Sequence, residues 1–268
     1  MPTLRELQKR LESAETIKQL SGAMRTAGTA KYTKLCAALD AYSPYAAALR
    51  GILPGRRETA GDAADEKTLC LLISGNRGLC GGYHQELFAH YTDFAGKTGV
   101  RTVTCGKKAL EFCRQKKIEV EQSFEIADIP RFADAKEISS TLFDLYSSGE
   151  VTKVCVVSQH FINMLKIFPE TDFILRGRSD DEGQDDGTIF IPDRRSVVEA
   201  LDPVILASVV YEKLLSAAAG AQAATVVAMR SAFENATNSI SSLEIRINRM
   251  RQAAVTASVL ETAIDIKE

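Results

Sequence analysis

The residues best suited to chemistry lie in one glycine-rich stretch, residues 74–82, whose sequence is SGNRGLCGG. It follows an apolar run and precedes a helix-forming segment, which is where α/β folds place phosphate-binding loops. The stretch matches neither GxGxxG nor GxxxxGK[ST], and no lysine follows its glycines to bind phosphate charge. A tight strand-to-helix turn, whose glycines allow positive φ, is therefore favoured over a nucleotide loop, which stays open as an alternative.

A thiol nucleophile is the second chemical possibility, because His84 follows Cys80 by one helical turn. Neither an orienting carboxylate nor a second motif accompanies this pair. The remaining histidines, His90 and His160, do not complete a metal-ligand spacing with His84. The sequence therefore predicts no catalytic residue, no metal site and no cofactor.

Cysteine usage and the N-terminus indicate a reducing compartment. The six cysteines form no CxxC pair, and most lie inside apolar runs, so we interpret them as reduced, buried small hydrophobes. The first residues, MPTLR, carry no apolar signal region, and no apolar run is long enough for a transmembrane helix. We expect a cytoplasmic chain.

Charge is distributed unevenly, although the net charge is only −2. Residues 1–53 carry eight Lys and Arg against four Asp and Glu, whereas residues 54–202 carry 19 against 25. The basic excess is too weak to predict nucleic-acid binding. It would suit an acidic protein partner.

The longest element is predicted at the C-terminal end, residues 203–268. Thirteen residues there follow one another at gaps that alternate between four and three, an unbroken heptad register. They are Leu215, Ala219, Gln222, Val226, Met229, Phe233, Ala236, Ile240, Leu243, Ile247, Met250, Ala254 and Ala257. We predict one helix of roughly 95 Å that starts at Pro203, with Asp202 as its N-cap.

A second long helix is predicted over residues 1–54. Thr3 and Glu6 form a capping-box sequence at its start, and Pro44 is expected to bend the helix without ending it. The apolar seam starts at Leu4, Leu7, Leu11 and Ala14. We expect it to slip near Ile17 and to resume through Leu20, Met24, Ala27, Lys31, Leu35, Ala38, Tyr42, Tyr45, Leu49 and Ile52. Residues 54–55, Pro-Gly, end it.

Between the helices, residues 67–200 have an α/β pattern. Strands are predicted at 68–73, 100–105, 118–124 and 151–158, and helices alternate with them. This alternation predicts a doubly wound, mostly parallel, Rossmann-like sheet. Residues 161–175 and 188–191 are expected to form a final extended pair around an acidic hairpin loop, and residues 55–66 are expected to be a linker.

The simplest arrangement is an α/β domain inserted between the helices of a long antiparallel two-helix coiled coil. Aligned from the domain end, the second helix outruns the first by about 15 residues. This tip, residues 255–266, is apolar nearly all round, which a solvated helix end should not be. We predict that it lies in an apolar sleeve made by another chain, and folding back onto the α/β domain is the alternative.

Four segments resemble the γ subunit of F-type ATP synthase, and the likeness covers nearly the whole chain. They are residues 17–24, 77–82, 228–236 and 247–256, with the sequences IKQLSGAM, RGLCGG, AMRSAFENA and INRMRQAAVT. The chain departs from the family pattern at Gly22, Asn76 and Ser258, where the family usually has lysine, aspartate and glutamate.

The resemblance implies a rotor shaft. In such enzymes the coiled coil stands inside a hexamer of three α and three β subunits, and the α/β domain joins the ε subunit and a membrane ring of c subunits. Flow of H⁺ or Na⁺ turns the shaft, which couples it to ATP synthesis or hydrolysis on the β subunits. The γ subunit does no bond chemistry, and it would lie peripherally at the cytoplasmic face of a bacterial cell membrane.

The resemblance also implies a set of partner-binding residues. Met24 and Lys31 would face acidic levers of the β subunits, and Arg77 and Cys80 would lie near the same region. Arg251, Gln252 and Thr256 would contact β-subunit loops, and Ile264 would lie in the sleeve. The competing hypotheses are a stand-alone phosphate- or nucleotide-binding α/β protein with a coiled-coil dimerisation arm, and a static scaffold.

Overall fold

The computed structural model describes residues 3–52, 67–96, 99–175 and 194–265. The chain divides into two units. Unit 1 comprises Met1–Gly28 and Val226–Glu268, and unit 2 comprises Thr29–Thr225. The elements in chain order are α1 (Leu4–Ile52), β1 (Thr68–Ile73), α2 (Tyr83–Ala95), β2 (Val100–Cys105), α3 (Lys107–Lys116), β3 (Val120–Phe124), α4 (Phe132–Ser147), β4 (Lys153–Asn163), β5 (Lys166–Leu175) and α5 (Arg194–Asp265).

Unit 2 is built on a five-stranded sheet with the order β3-β2-β1-β4-β5. The first four strands are parallel, and β5 is antiparallel to β4. Every residue of the central strand β1 is buried, as expected for a strand covered on both faces. One face packs against α2 and α3, and the other packs against α4 and α5. The predicted doubly wound, mostly parallel sheet is confirmed.

The final strand pair differs from the prediction. Residues 161–163 complete β4, and β5 pairs directly with β4, for example His160 opposite Phe168. Asn163 makes this hairpin possible because its side-chain oxygen accepts hydrogen bonds from the Leu165 and Lys166 N–H groups, at 2.9 Å each. Residues 188–191, the expected partner, lie outside the described residues, as do 177–187 and the expected linker 55–66.

Helix α5 starts at Arg194, so the prediction of a start at Pro203 was wrong. Asp202 and Pro203 lie inside the helix. An internal proline costs about 3 kcal/mol through a lost backbone hydrogen bond and a steric clash. The turn before it is held by apolar contacts, because Leu201 packs in a cluster with Leu49, Ile205 and Val209. This tertiary packing, invisible to local proline rules, extends the helix towards its N-terminus.

The apolar character of α5 reflects burial within the protein. Between Ala200 and Ala257 the helix is long and apolar enough to cross a membrane by length and composition alone, but 72% of its most apolar window is buried inside the structure. Leu206, Val210 and Leu214 are buried and pack on the sheet. The part of α5 before Val226 is therefore a core element of unit 2.

Within unit 2, α1 and α5 run antiparallel. Leu35 packs with Leu215 and Ala219. Further along α1, Leu49 packs with residues of lower number on α5, Ile205 and Val209. The predicted antiparallel helix pair is confirmed here.

Within unit 1, the predicted seam of α5 is confirmed as far as Met250. Met229, Ala236 and Ile247 are buried, and the seam residues between them are half-buried. Ala254 and Ala257 are exposed, as are all residues from Arg251 to Ala257. The described part of the tip therefore has no covering from its own unit.

The seam of α1 does not slip near Ile17, and that prediction was wrong. Ile17 and Leu20 are 53% and 58% exposed. The register continues without a break through positions that are buried or half-buried: Leu4, Leu7, Leu11, Ala14, Lys18, Ser21, Arg25 and Gly28 in unit 1, and Tyr32, Leu35, Leu39, Tyr42, Ala46 and Leu49 in unit 2. Polar and small residues occupy the seam near Ser21, so a hydropathy pattern selects the wrong face.

Two local predictions are confirmed. Thr3 and Glu6 form a reciprocal capping box, with the Thr3 N–H donating to Glu6 Oε2 at 2.9 Å and the Glu6 N–H donating to Thr3 Oγ1 at 3.3 Å. Helix α1 also continues through Pro44. The six cysteines are free thiols, five of them buried and Cys36 half-buried.

Candidate partner-binding surfaces

The glycine-rich loop, residues 74–82, closes the N-terminus of α3 with its own atoms. Asn76 Oδ1 accepts from the Lys107 N–H at 3.1 Å, and the Gly75 carbonyl accepts from the Lys108 N–H at 3.2 Å. Ser74 Oγ accepts from the Ala109 N–H at 2.7 Å. The free N–H groups at a helix start are what would bind a phosphate. Here three of them are already occupied.

The smaller of two spaces beside the loop cannot hold a nucleotide. The cavity lined by Ser74, Gly106 and Ala217 holds about 60 Å³, whereas ligand pockets usually hold about 300–1,000 Å³. A wider depression of about 560 Å³ next to it is open to solvent. Its two cations face carboxylates of this chain, Lys107 at 3.4 Å from Glu125 and Arg77 at 3.7 Å from Asp128. The geometry does not favour the phosphate-binding alternative.

Cys80 and His84 do not form an activated nucleophile. Burial raises the pKa of the Cys80 thiol, and hydrogen bonds from the backbone N–H groups of Cys80 and His84 oppose this less strongly. Burial lowers the pKa of His84, whose Nε2 donates to the Arg77 carbonyl at 3.0 Å. An attacking cysteine needs a lowered thiol pKa. The raised value is that of a structural cysteine.

The loop presents two side chains outward. Arg77 has a side chain that is 75% exposed, and Leu79 is 61% exposed. Leu79 has φ +64°, a left-handed conformation that costs a non-glycine residue about 1–2 kcal/mol. Of the loop glycines, Gly81 has positive φ, at +60°, a conformation that the missing Cβ allows. An exposed apolar side chain on a strained, well-anchored backbone indicates a contact surface.

Lys31 and Arg77 are brought together by an acid that sequence analysis did not single out. Lys31 Nζ pairs with Asp128 Oδ2, and an Arg77 guanidinium nitrogen lies 3.7 Å from the same oxygen. Asp128 lies in the segment after β3, which is held by a hydrogen bond from Asn76 Nδ2 to the Ile126 carbonyl. An acidic residue in a connecting segment gives no sequence signal for such a role, because the pairing joins elements 97 residues apart.

In unit 1, Met24 is half-buried and follows Gly22 by two residues on α1. The Phe233 ring lies 3.5 Å from the position a Cβ would take at Gly22. Lys18 Nζ and the Arg25 guanidinium lie over the same ring, 5.6 Å and 5.0 Å from its centroid. The ring therefore packs on α1 beside Gly22, with two cations over it.

The predicted partner-binding residues near the end of α5 lie on the exposed tip. Arg251, Gln252 and Thr256 are exposed, and Thr256 Oγ1 donates to the Gln252 carbonyl at 2.9 Å. Val255 and Val259 are 63% and 62% exposed. Ile264 belongs to α5, and its side chain lies outside the described residues, as does that of Ser258.

Unit 1 exposes apolar residues outside its seam that were not predicted from the sequence. Ile17 and Leu20 on α1, and Ile245 and Val227 on α5, are all more than one third exposed. They could have been found by continuing the alternating gaps of three and four residues from Leu4, whether or not each position is apolar. That count places Lys18 and Ser21 in the seam and leaves Ile17 and Leu20 outside it.

These features define a class of protein: an α/β domain inserted between the two helices of an antiparallel coiled coil, with exposed contact surfaces on helix and loop. The family model for ATP synthase matches residues 3–263. The ATP synthase gamma chain of Chlorobium luteolum is 30% identical over 97% of each chain, and that of Pelotomaculum thermopropionicum is 29% identical over 97% of each. The chain belongs to the ATP synthase gamma chain family.

Solved structures support the same fold. A chain of the Euglena gracilis mitochondrial ATP synthase, described as OSCP/F1/c-ring, matches with a TM-score of 0.78 and 15% identity, covering 98% of this chain and 93% of that chain. A chain of the Tetrahymena thermophila mitochondrial ATP synthase, described as central stalk/c-ring, matches with a TM-score of 0.63 and 17% identity, covering 80% and 99%.

Proposed function

We propose that this chain is the central-stalk rotor of an F-type ATP synthase, which couples ion flow through a membrane ring to ATP synthesis or hydrolysis on the β subunits. Membership of the gamma chain family supports this function. The observation that carries it is the tip of α5. Val255 and Val259 are exposed there, beyond Met250, the last seam residue that is at least half-buried. An apolar helix end without a covering in its own chain needs one from a partner.

The rotor itself performs no bond chemistry. The N-terminus of α3 is capped by Ser74, Gly75 and Asn76, and the thiol of Cys80 has a raised pKa. These features argue against phosphate binding and thiol chemistry at the glycine-rich loop. The role of the rotor is mechanical, and the β subunits carry the nucleotide chemistry. No cofactor is needed for this role.

The tip of α5 acts as a bearing, that is, the end at which the rotating helices are held by the surrounding subunits. Arg251, Gln252 and Thr256 contact loops of the β subunits, and Ile264 lies in an apolar sleeve formed by the hexamer of α and β subunits. Apolar contacts are non-directional, so few hydrogen bonds need to break in each turn. The exposure of Arg251, Gln252 and Thr256 supports this assignment because each is available to a partner.

A second contact surface comprises Met24, Lys31, Arg77 and Cys80, which the family resemblance places near acidic levers of the β subunits. The exposed Arg77 and Leu79 support direct contact at the glycine-rich loop. Cys80 is only 5% exposed, so it supports the loop from inside, next to the contact.

The α/β domain joins the ε subunit and the c-subunit ring. The similar Euglena and Tetrahymena chains come from structures whose descriptions include a c-ring. We assign the chain a peripheral position at the cytoplasmic face of a bacterial cell membrane, with H⁺ or Na⁺ as the coupling ion. Nucleic acid is not among its partners.

Reconstitution tests the function. The purified chain is mixed with the cognate hexamer of α and β subunits, and co-purification and ATPase activity are measured. We expect a stable complex with ATPase activity above that of the hexamer alone. Absence of both would contradict the rotor assignment.

A double substitution tests the bearing, Val255→Asp with Val259→Asp. Both side chains are exposed in the isolated chain, so its thermal unfolding should stay unchanged. In the complex, two buried charges should weaken association about 100-fold or more, because an unpaired charge in an apolar site costs several kcal/mol. Val255→Leu with Val259→Leu is the matched control and should retain association. Equal affinity of the aspartate and leucine variants would contradict the prediction that the tip lies in an apolar sleeve.

A further inference from the structure

Lys31, one of the residues expected to meet an acidic partner, is already paired within its own chain. Its Nζ contacts Asp128 Oδ2, and the two side chains are 32% and 22% exposed. Arg77 lies 3.7 Å from the same oxygen with a side chain that is 75% exposed. One carboxylate oxygen therefore faces two cations, and it holds the lysine much more closely than the arginine.

Asp128 is held in place by a chain of hydrogen bonds. The Lys107 N–H at the start of α3 donates to Asn76 Oδ1 at 3.1 Å, and Asn76 Nδ2 donates to the Ile126 carbonyl. Both ends of the Asn76 amide are therefore used, and they fix the segment that carries Asp128. An aspartate at position 76 could not donate to Ile126, because a carboxylate has no N–H group.

The two cations differ in what they can still offer. A lysine ammonium is a point charge, and here it is engaged by Asp128. An arginine guanidinium has five N–H donors, and that of Arg77 makes one long contact with Asp128 while most of the side chain faces solvent. Arg77 can therefore bind a second carboxylate at nearly full strength. Lys31 has three N–H donors, but the close contact with Asp128 already balances its charge, so it attracts a second carboxylate less strongly.

We propose that Asp128 is an intramolecular competitor for the acidic surface of the partner. It balances the charge of Lys31, which therefore attracts a partner carboxylate weakly, and it leaves Arg77 as the primary contact. This inference rests on the proposed function, since it takes the partner to be the carboxylate-bearing surface of the surrounding hexamer. Because Lys31 is already paired with Asp128 before the partner binds, it adds less to the binding free energy than its charge suggests.

The test is the rate at which the full chain associates with the hexamer at low ionic strength, where charge steering is strongest. Asp128→Asn keeps the side-chain shape and frees Lys31, so it should raise the association rate by about threefold and steepen its salt dependence. Glu125→Gln is the matched control. It removes the same charge from the same segment, but Glu125 pairs with Lys107 rather than with Lys31. It should change the rate by less than half as much.

Two further variants do not depend on how Asp128→Asn folds. In the otherwise unchanged chain, Arg77→Gln should slow association by about threefold, and Lys31→Gln should slow it by less than about 1.5-fold. Adding Lys31→Gln to Asp128→Asn should remove the gain. Equal effects of Arg77→Gln and Lys31→Gln, or a gain that survives without Lys31, would overturn the inference. If the unchanged chain does not bind the hexamer, the proposed function fails instead.

Discussion

The same two helices, α1 and α5, are held by different means in the two units. In unit 2, α5 is tied to the sheet domain by directional bonds. Tyr83 Oη donates to the Ala217 carbonyl at 2.7 Å, the Phe161 N–H donates to Ser216 Oγ at 3.0 Å, and the buried Lys213 pairs with Glu170 and Asp172. A shaft that receives torque through its domain needs such fixed attachments.

In unit 1, the helices meet along a narrow seam of small and amphipathic residues. Gly22 packs against Phe233, and the charged groups of Lys18 and Arg25 lie over the ring. Apolar residues such as Ile17 remain outside. In unit 2, α5 thus buries its apolar face against the sheet, whereas unit 1 leaves apolar residues of its helices available to a partner. The following substitutions test this contrast, from the largest expected effect to the smallest.

Gly106→Ala should be the most destabilising substitution, because it introduces a steric clash with the backbone of unit 2. An added Cβ would lie 2.3 Å from the Ser74 carbonyl oxygen, at a residue with φ +94°. We expect a loss of about 3 kcal/mol or more in the free energy of unfolding, measured by urea denaturation. Gly149→Ala is the matched control, since φ is +76° there and no atom lies within 4 Å of the added Cβ. It should lose about 1 kcal/mol; equal losses would show that backbone strain, not the clash, dominates.

Lys213→Met tests the attachment of α5 to β5. The lysine side chain is 7% exposed, while Glu170 and Asp172 are 35% and 40% exposed and can be rehydrated. Removal of the lysine should therefore cost about 1–2 kcal/mol, below the usual penalty for breaking a fully buried pair. The control in unit 1 is Arg230→Met, which breaks an exposed pair with Glu234 at 2.9 Å and should cost less than about 0.5 kcal/mol. A larger loss at Arg230 in urea denaturation would reverse the contrast between the units.

Gly22→Ala should stabilise unit 1 slightly. The added Cβ would lie 3.5 Å from the Phe233 ring, an ordinary van der Waals distance, and alanine is the better helix former. We expect a gain of about 0.5–1 kcal/mol, seen as slower amide hydrogen exchange in residues 4–28. Faster exchange in this segment would mean that the ring needs an unobstructed backbone, and that the seam is tighter than the distance indicates.

The positions of strands and helices could be predicted closely where the pattern is local. Strand β1 was predicted at its observed bounds, Thr68–Ile73, because a continuous apolar run between turn residues has few alternatives. The start of α5 could not be predicted, because Leu201 stabilises the turn before Pro203 through contacts with Leu49, far away in the sequence. The pairing of β5 with β4 was also not predicted, because the turn at Asn163 that joins the two strands was not recognised in the sequence.

The residues of the candidate partner-binding surfaces were also predicted only in part. The sequence marked Arg77 and the end of α5 through motif and register, and the structure leaves Arg77, Arg251 and Gln252 exposed. It gave no indication of Asp128, because an ion pair between distant elements has no periodicity. It also did not reveal that Asn76 and Ser74 cap α3, which closes the helix end that a phosphate would need.

By itself, the sequence determined that two long helices flank a parallel α/β domain, and that one of them continues beyond its partner. Heptad spacing and apolar runs are local properties, so they do not depend on what packs against them. Only the tertiary structure decided which face of α1 is buried near Ser21. Phe233 approaches from α5 and covers Gly22, Lys18 and Arg25, so the cations pack inward and Ile17 and Leu20 face outward. Which side chains of α1 are buried there depends on the shape of the facing helix α5, and the hydropathy pattern of α1 does not encode that shape.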